Sequence, residues 1–258
     1  MIFDTHAHYD DDAFDEDREE LLAGMQAAGV EYIVNVGASM ASSERSLKLA
    51  EKYPFVYAAV GVHPDEIGEL NEDKFARLKT WTTHEKVKAV GEIGLDYYWD
   101  KEKHDLQKHW FMRQMELASE CKLPMIVHSR EAAKDTLDMV IAAKPLELSG
   151  IIHCYSYSVE QAREYLNMGY YLGIGGVLTF KNAKKLKEVA EYAPLSQIVL
   201  ETDCPYLAPV PYRGKRNDSS MIAYVAEELA AIKQIPVEEV IRITNENGRN
   251  LYHIQEIQ

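Results

Sequence analysis

The feature that most constrains this chain is a rhythm. Eight short runs rich in Val, Ile and Leu recur at residues 1–5, 31–36, 56–62, 88–93, 124–127, 150–153, 170–174 and 197–201. Near-continuous apolar runs of this length suit parallel strands covered on both faces. Helical patterns lie between them. Leu21, Leu22, Met25 and Ala28 fall on one face of the first, and Ile222, Val225, Ala226, Leu229 and Ile232 on one face near the end. Ser158 with Gln161 reads as a capping box opening the helix after the sixth run, and Pro236 marks the first turn of the last helix. Strand and helix alternating eight times, with no low-complexity linker, predict an α/β chain folded as a single (β/α)8 TIM barrel domain over residues 1–258. The competing arrangement, an open doubly wound sheet, calls for a glycine-rich phosphate loop after the first strand. His6-Ala7-His8-Tyr9 stands there instead.

Charge narrows the function classes. With 42 acidic and 28 basic residues the net charge is −14, which argues against coating DNA or anionic lipid by bulk attraction. A nucleic-acid enzyme with a local basic patch stays open. Apolar runs such as 57–62 are far shorter than the ~20 residues that cross a bilayer, so no membrane association is expected. The opening Met1-Ile2-Phe3-Asp4-Thr5-His6 lacks a basic stretch followed by an apolar run, so no secretory signal is expected. Cys121, Cys154 and Cys204 are an odd count at long spacings, neither a metal motif nor a disulfide framework. A cytoplasmic protein with no obligate protein partner is the expectation.

Chemistry enters with the histidines. His84, His104, His109 and His253 read as surface or helix residues. His6, His8, His63, His128 and His153 fall at the carboxyl ends of predicted strands, as do Glu92 on the fourth and Asp203 on the eighth. Those ends carry the active site of a barrel, so residues from 6 to 203 are expected to meet in one cavity. His6 and His8 are two apart in an extended run and share a face. His6, His8, His128 and His153 with Glu92 and Asp203 form a set of imidazole and carboxylate donors. It suits Zn²⁺, Mn²⁺ or Fe²⁺, and Mg²⁺ less well. Six ligands exceed one tetrahedral site and suit two cations ~3.5–4 Å apart, with Glu92 as a candidate bridge. Cys154 and Cys204 directly follow His153 and Asp203, so alternation turns them outward as small packing residues.

The motifs then resemble a known family. Asp4-Thr5-His6-Ala7-His8 is similar to the opening signature of amidohydrolase-superfamily barrels. Gly61-Val62-His63-Pro64, Gly91-Glu92-Ile93-Gly94-Leu95-Asp96-Tyr97, His128-Ser129-Arg130, His153-Cys154, Glu201-Thr202-Asp203-Cys204-Pro205-Tyr206-Leu207 and Pro211-Tyr212-Arg213-Gly214-Lys215-Arg216-Asn217 closely resemble the TatD-type deoxyribonucleases, in order and over the whole chain. The resemblance implies a TIM barrel and a one- to two-metal centre, and with six candidate ligands the expectation is two divalent cations (Zn²⁺, Mn²⁺ or Mg²⁺). It implies hydrolysis of DNA phosphodiester bonds, often from the 3′ end, with single-stranded DNA or 3′ ends as the expected partner. It implies metal ligation by His6, His8, Glu92, His128, His153 and Asp203, and places His63 near the substrate phosphate. Three positions depart from the family pattern. Tyr157 replaces a usual glycine, Cys204 a usual alanine, and Asn245 with Gly248 a threonine and an alanine near the C-terminus.

On this reading an acidified water attacks phosphorus, His63 offsets the growing phosphoryl charge, and Asp203 is the candidate general base. Glu92 completes the catalytic set. Glu201 reads as a structural carboxylate. Arg130, Arg213, Lys215 and Arg216 are candidate phosphate contacts, with a structural ion pair or a solvated basic loop as the alternative. Tyr97, Tyr98 and Trp99 are candidates to stack bases, or else pack at the rim. The acids at 10–12 and 15–17 read as helix-start residues that complement the dipole. Another metallohydrolase on the same centre, acting on a lactone, an amide or a D-aminoacyl-tRNA ester, is the rival.

Overall fold

The computed structural model describes residues 1–99 and 102–255. In chain order, strand and helix alternate as β1 (Ile2–Ala7), α1 (Arg18–Gly24), β2 (Val30–Val36), α2 (Met40–Lys52), β3 (Val56–Val60), α3 (Glu72–Trp81), β4 (Val87–Asp96) and α4 (His104–Cys121). They continue as β5 (Met125–Arg130), α5 (Ala133–Ala142), β6 (Gly150–Ile152), α6 (Val159–Asn167), β7 (Tyr171–Ile174), α7 (Lys184–Tyr192), β8 (Ile198–Leu200), α8 (Ile222–Lys233) and α9 (Val237–Tyr252). The strands form one sheet in the order β1 to β8, the topology of the expected (β/α)8 barrel. Every strand run predicted from sequence is present, with ends that coincide or shift by at most three residues. Among the described residues no helix is long and apolar enough to cross a membrane.

The chain gathers into two compact units, Met1–Asn35 with Cys154–Gln258, and Val36–His153. In the first, β1 pairs in parallel with β2, β7 with β8, and Ala7 bridges Cys204 beyond the end of β8. Burial explains the strands: Ile33, Val34, Val199 and Leu172 are fully enclosed. The Ser158 hydroxyl accepts from the Gln161 N–H, the cap read from sequence. Pro236 stands just before α9 rather than inside its first turn. Helix α1 stops at Gly24, so Met25 is buried while Ala28 is exposed, and the predicted apolar face is one turn shorter than its spacing implied. Gly248 has a packing reason: a Cβ there would lie 2.7 Å from the Phe3 ring, so glycine lets α9 lie against β1. Asn245 donates to the Met1 carbonyl and to Glu31.

In the second unit β3 pairs with β4, β4 with β5 and β5 with β6, all parallel. Ser39 and Asn71 cap α2 and α3 through the Ser42 and Lys74 N–H groups. One boundary matters for function. The apolar run suggested that β4 ends near Glu92. It continues to Asp96 because Gly94, Leu95 and Asp96 pair with His128, Ser129 and Arg130 on β5. Glu92 therefore sits inside the strand, where the β4–β5 register shifts between Val90 and Ile93, and a shift of this kind re-aims the side chain. Gly94 makes the close approach possible: its φ is +147° and a Cβ would stand 1.9 Å from the His128 carbonyl oxygen. Gly94→Ala is expected to cost about 3 kcal/mol or more. Thermal melting followed by circular dichroism checks this, with an expected fall in Tm of roughly 10 °C.

Candidate metal centre

Among the described residues metal-competent side chains gather in each unit, His6, His8 and Asp203 in the first and His63, Glu92 and His128 in the second. In the first, β1 carries His6, fully buried, and His8 follows it by two residues. The extended backbone turns both imidazoles to one side, and their Nε2 atoms stand 3.0 Å apart. Asp203 Oδ1 lies 3.4 Å from His8 Nε2 and 3.8 Å from His6 Nε2. Two imidazole nitrogens and a carboxylate oxygen converging this closely match the donor preference of a borderline divalent cation, so these residues fit the group that the resemblance implies.

Hydrogen bonds hold Asp203 in a strained conformation. Its φ is +56°, a left-handed conformation that aspartate tolerates better than most residues. The Asp203 N–H donates to the His6 carbonyl, and the His8 N–H donates to the Cys204 carbonyl. Behind them sits Asp4, buried completely. Asp4 accepts from the Thr202 hydroxyl and N–H, the Ser219 hydroxyl and the His6 N–H. Burial pushes its carboxyl up to about 7 against these hydrogen bonds, all of which favour the charge. Asp4 thus ties the strand that carries His6 to the residue before Asp203. Glu201 is buried, accepts from the Cys154 N–H, and occupies space that a side chain at Gly173 would fill.

In the second unit Glu92 is the centre. Its Oε1 lies 2.8 Å from His128 Nδ1, 3.8 Å from His63 Nε2 and 3.8 Å from His153 Nε2. His63, placed from sequence beside the phosphate, thus stands within the donor cluster, its ring 4.3 Å from that of His128. Two carboxylates were missed. Asp96 Oδ2 lies 3.1 Å from His128 Nε2, and Asp65 Oδ2 lies 3.6 Å from His63 Nδ1. Asp96 stands four residues beyond Glu92, and because pairing with β5 carries β4 that far, the two share parity and face the same way. Burial works against the Asp96 charge, but hydrogen bonds from His128 and the N–H groups of Trp99 and Tyr98 hold its carboxyl below the usual value. Burial likewise opposes charge on His128, but Asp96 and Glu92 outweigh it and push the imidazole up to about 9. The local field demands positive charge, which a divalent cation satisfies as a proton does.

The remaining candidates fall on the surface. Arg213 and Lys215 are exposed in the loop after β8, and the Arg213 guanidinium lies 4.4 Å over the Phe180 ring. Arg216 directs its nitrogens to Asp17 at 2.8 and 2.5 Å and to the Ala13 carbonyl at 2.8 Å, and it covers Phe14. That arrangement closes the turn before α1. Arg130 ends β5 and covers Tyr98. Tyr97 packs into the unit, stacked on His104 and donating to Asp135, whereas Tyr98 and Trp99 are exposed. Cys204 is fully buried and its thiol is pushed well up by that burial, in keeping with a packing role. Of the acidic runs, Asp11 caps the turn at Ala13, and Asp10 accepts from Asn35.

A model of the family described as TatD related DNase matches residues 3–253. The uncharacterized metal-dependent hydrolase YabD of Bacillus subtilis is 44% identical over 254 residues, covering 98% of this chain and 100% of YabD. The uncharacterized metal-dependent hydrolase YcfH of Escherichia coli K12 is 34% identical over 257 residues, covering 98% and 96%. The crystal structure of YjjV, a TatD homolog from Escherichia coli K12, superposes with a TM-score of 0.92 at 30% identity and 98% coverage of each chain.

The pushed-up His128 makes stability depend on pH in chelated protein. Charge on His128 is favoured in the fold, so its contribution is complete below pH 6.5 and is lost as pH rises towards 9. Chelated protein is expected to lose several degrees of Tm over that window, and His128→Gln to flatten the loss. Calorimetry across the pH series checks this.

Proposed function

This chain belongs to the TatD-related DNase family, and from that footing we propose that this metal-dependent hydrolase cleaves DNA phosphodiester bonds, working inward from the 3′ ends of single strands. The observation that carries the reading is the loop beginning at Asp203. It supplies a carboxylate to the His6–His8 cluster, then an exposed guanidinium and ammonium at Arg213 and Lys215. A phosphodiester answers those cations, whereas a neutral lactone or amide does not.

His6, His8 and Asp203 would hold one cation, and Glu92, His128 and His153 another. Divalent cations held there would supply Lewis acidity and would bring the pKa of a water towards neutral. Asp203 accepts the proton of the attacking water as its oxygen bonds to phosphorus. His63 donates a hydrogen bond to a non-bridging phosphoryl oxygen as negative charge grows there. The bond from phosphorus to the 3′ oxygen breaks, that oxygen takes the proton that Asp203 accepted, and a 5′-mononucleotide leaves. Arg213 and Lys215 hold the chain through backbone phosphates. Arg216, paired with Asp17, shapes the loop they stand on.

End-labelled single-stranded DNA, assayed beside a lactone, a simple ester and a D-aminoacyl-tRNA, tests the reading. Shortening from the 3′ end supports it, and turnover of only the other substrates overturns it. Chelation is expected to abolish cleavage, and Mn²⁺, Mg²⁺ or Zn²⁺ to restore it. Asp203→Asn is expected to lower kcat about 10³-fold or more while the far-ultraviolet spectrum stays native. Replacing Arg213 and Lys215 together by alanine is expected to reduce the salt slope of DNA binding by roughly 1. Filter binding across a salt series measures it.

A further inference from the structure

Beside the second cluster lies a surface that the hydrolytic residues do not use. Tyr98 and Trp99 are the second and third residues beyond β4, and they are 44% and 66% exposed. Their rings meet edge to face at 4.7 Å. Arg130, the last residue of β5, lays its guanidinium 4.0 Å over the Tyr98 ring and 5.5 Å over that of Trp99. Two large aromatic rings side by side in water forgo the burial that drives such residues inward, and such patches mark interaction sites.

One carboxylate fixes where this patch sits. Asp96 Oδ1 accepts from the Tyr98 N–H at 2.8 Å and the Trp99 N–H at 3.1 Å. Its other oxygen, Oδ2, meets His128 Nε2 at 3.1 Å. Asp96 and Arg130 are register partners across β4 and β5, and the Tyr97 N–H donates to the Arg130 carbonyl. Rings, guanidinium and donor cluster are thus braced by one buried side chain and one strand pair.

We propose that Tyr98, Trp99 and Arg130 form a stacking platform for an unpaired nucleobase, gripping a nucleotide beside the phosphate to be cleaved. This rests on the nuclease reading above. An exposed indole face accepts any base, because every base offers a π face, so the grip is tolerant of sequence. A base inside a duplex is already stacked on its neighbours, so the platform selects single strands and frayed ends. Arg130 braces the Tyr98 ring, and a cation over the rings adds attraction for a third planar group. The chain's net charge of −14 gives little help from bulk attraction, so affinity for a strand has to come from local contacts such as these.

The test is fluorescence anisotropy of metal-loaded protein with a dye-labelled thymidine tetranucleotide made cleavage-resistant by phosphorothioate links. The same backbone with abasic positions is the control. Trp99→Ala and Arg130→Ala are each expected to raise Kd about 10-fold for the thymidine chain, and Trp99→Phe, which keeps a ring, less than about 3-fold. On the abasic chain Trp99→Ala and wild type should bind alike. Equal Kd for wild type and Trp99→Ala on the thymidine chain, an equal loss on the abasic chain, or no binding by wild type overturns the platform. A wild type that binds thymidine through Trp99 but leaves end-labelled DNA intact keeps the platform and overturns the nuclease reading. One that cleaves DNA while Trp99→Ala binds normally does the reverse.

Discussion

A carboxylate removed from water must be neutralised by donors or by cations, and the functional ends of the strands are organised around that requirement. Asp4, Glu92, Asp96 and Glu201 are all buried. Asp4 meets it with hydroxyl and N–H donors, Glu92 with imidazoles, and Asp96 with both an imidazole and N–H groups. Leaving such a group unpaired costs several kcal/mol, so these partnerships decide which backbone paths are tolerable.

The same requirement accounts for the irregular backbone around the two clusters. Asp203 and Cys154 take left-handed conformations, the one a candidate ligand and the other directly after His153. Such conformations cost of order 1–3 kcal/mol and persist only where surrounding bonds over-determine them. Here they are over-determined: Asp203 through the His6 carbonyl, and Cys154 through the Glu201 carboxylate. Glycine supplies what aspartate and cysteine cannot, namely room. Gly94 lets β4 approach β5, and Gly173 leaves space for Glu201.

Division of labour among the surface cations follows from their own partners. Arg216 is directed at Asp17 and a backbone carbonyl, so it shapes a turn. Arg130 is directed at aromatic faces. Arg213 and Lys215 stand in the exposed loop beyond Asp203. A sequence shows these four as equivalent positive charges. Their neighbours, which come from distant parts of the chain, make them different.

The fold class was legible in the order of the amino acids, and so were most of the side chains that gather into metal-competent clusters. Eight apolar runs separated by helical periodicity leave few ways to bury both faces of every strand, and polar residues at the ends of those runs have few places to go but the open ends of the strands. His6 and His8 were legible because a two-residue spacing in an extended chain is a geometric statement. Strand ends were not, since they depend on pairing: β4 runs on to Asp96 only because β5 offers partners, and with that extension Asp96 joins His128. The roles of Asp4 and Asp96, the place of His63 inside the Glu92 cluster, and the pairing of Arg130 with Tyr98 and Trp99 were decided by tertiary structure alone. Each is a contact between strands or loops far apart in sequence, where local propensity and periodicity carry no information about the neighbour.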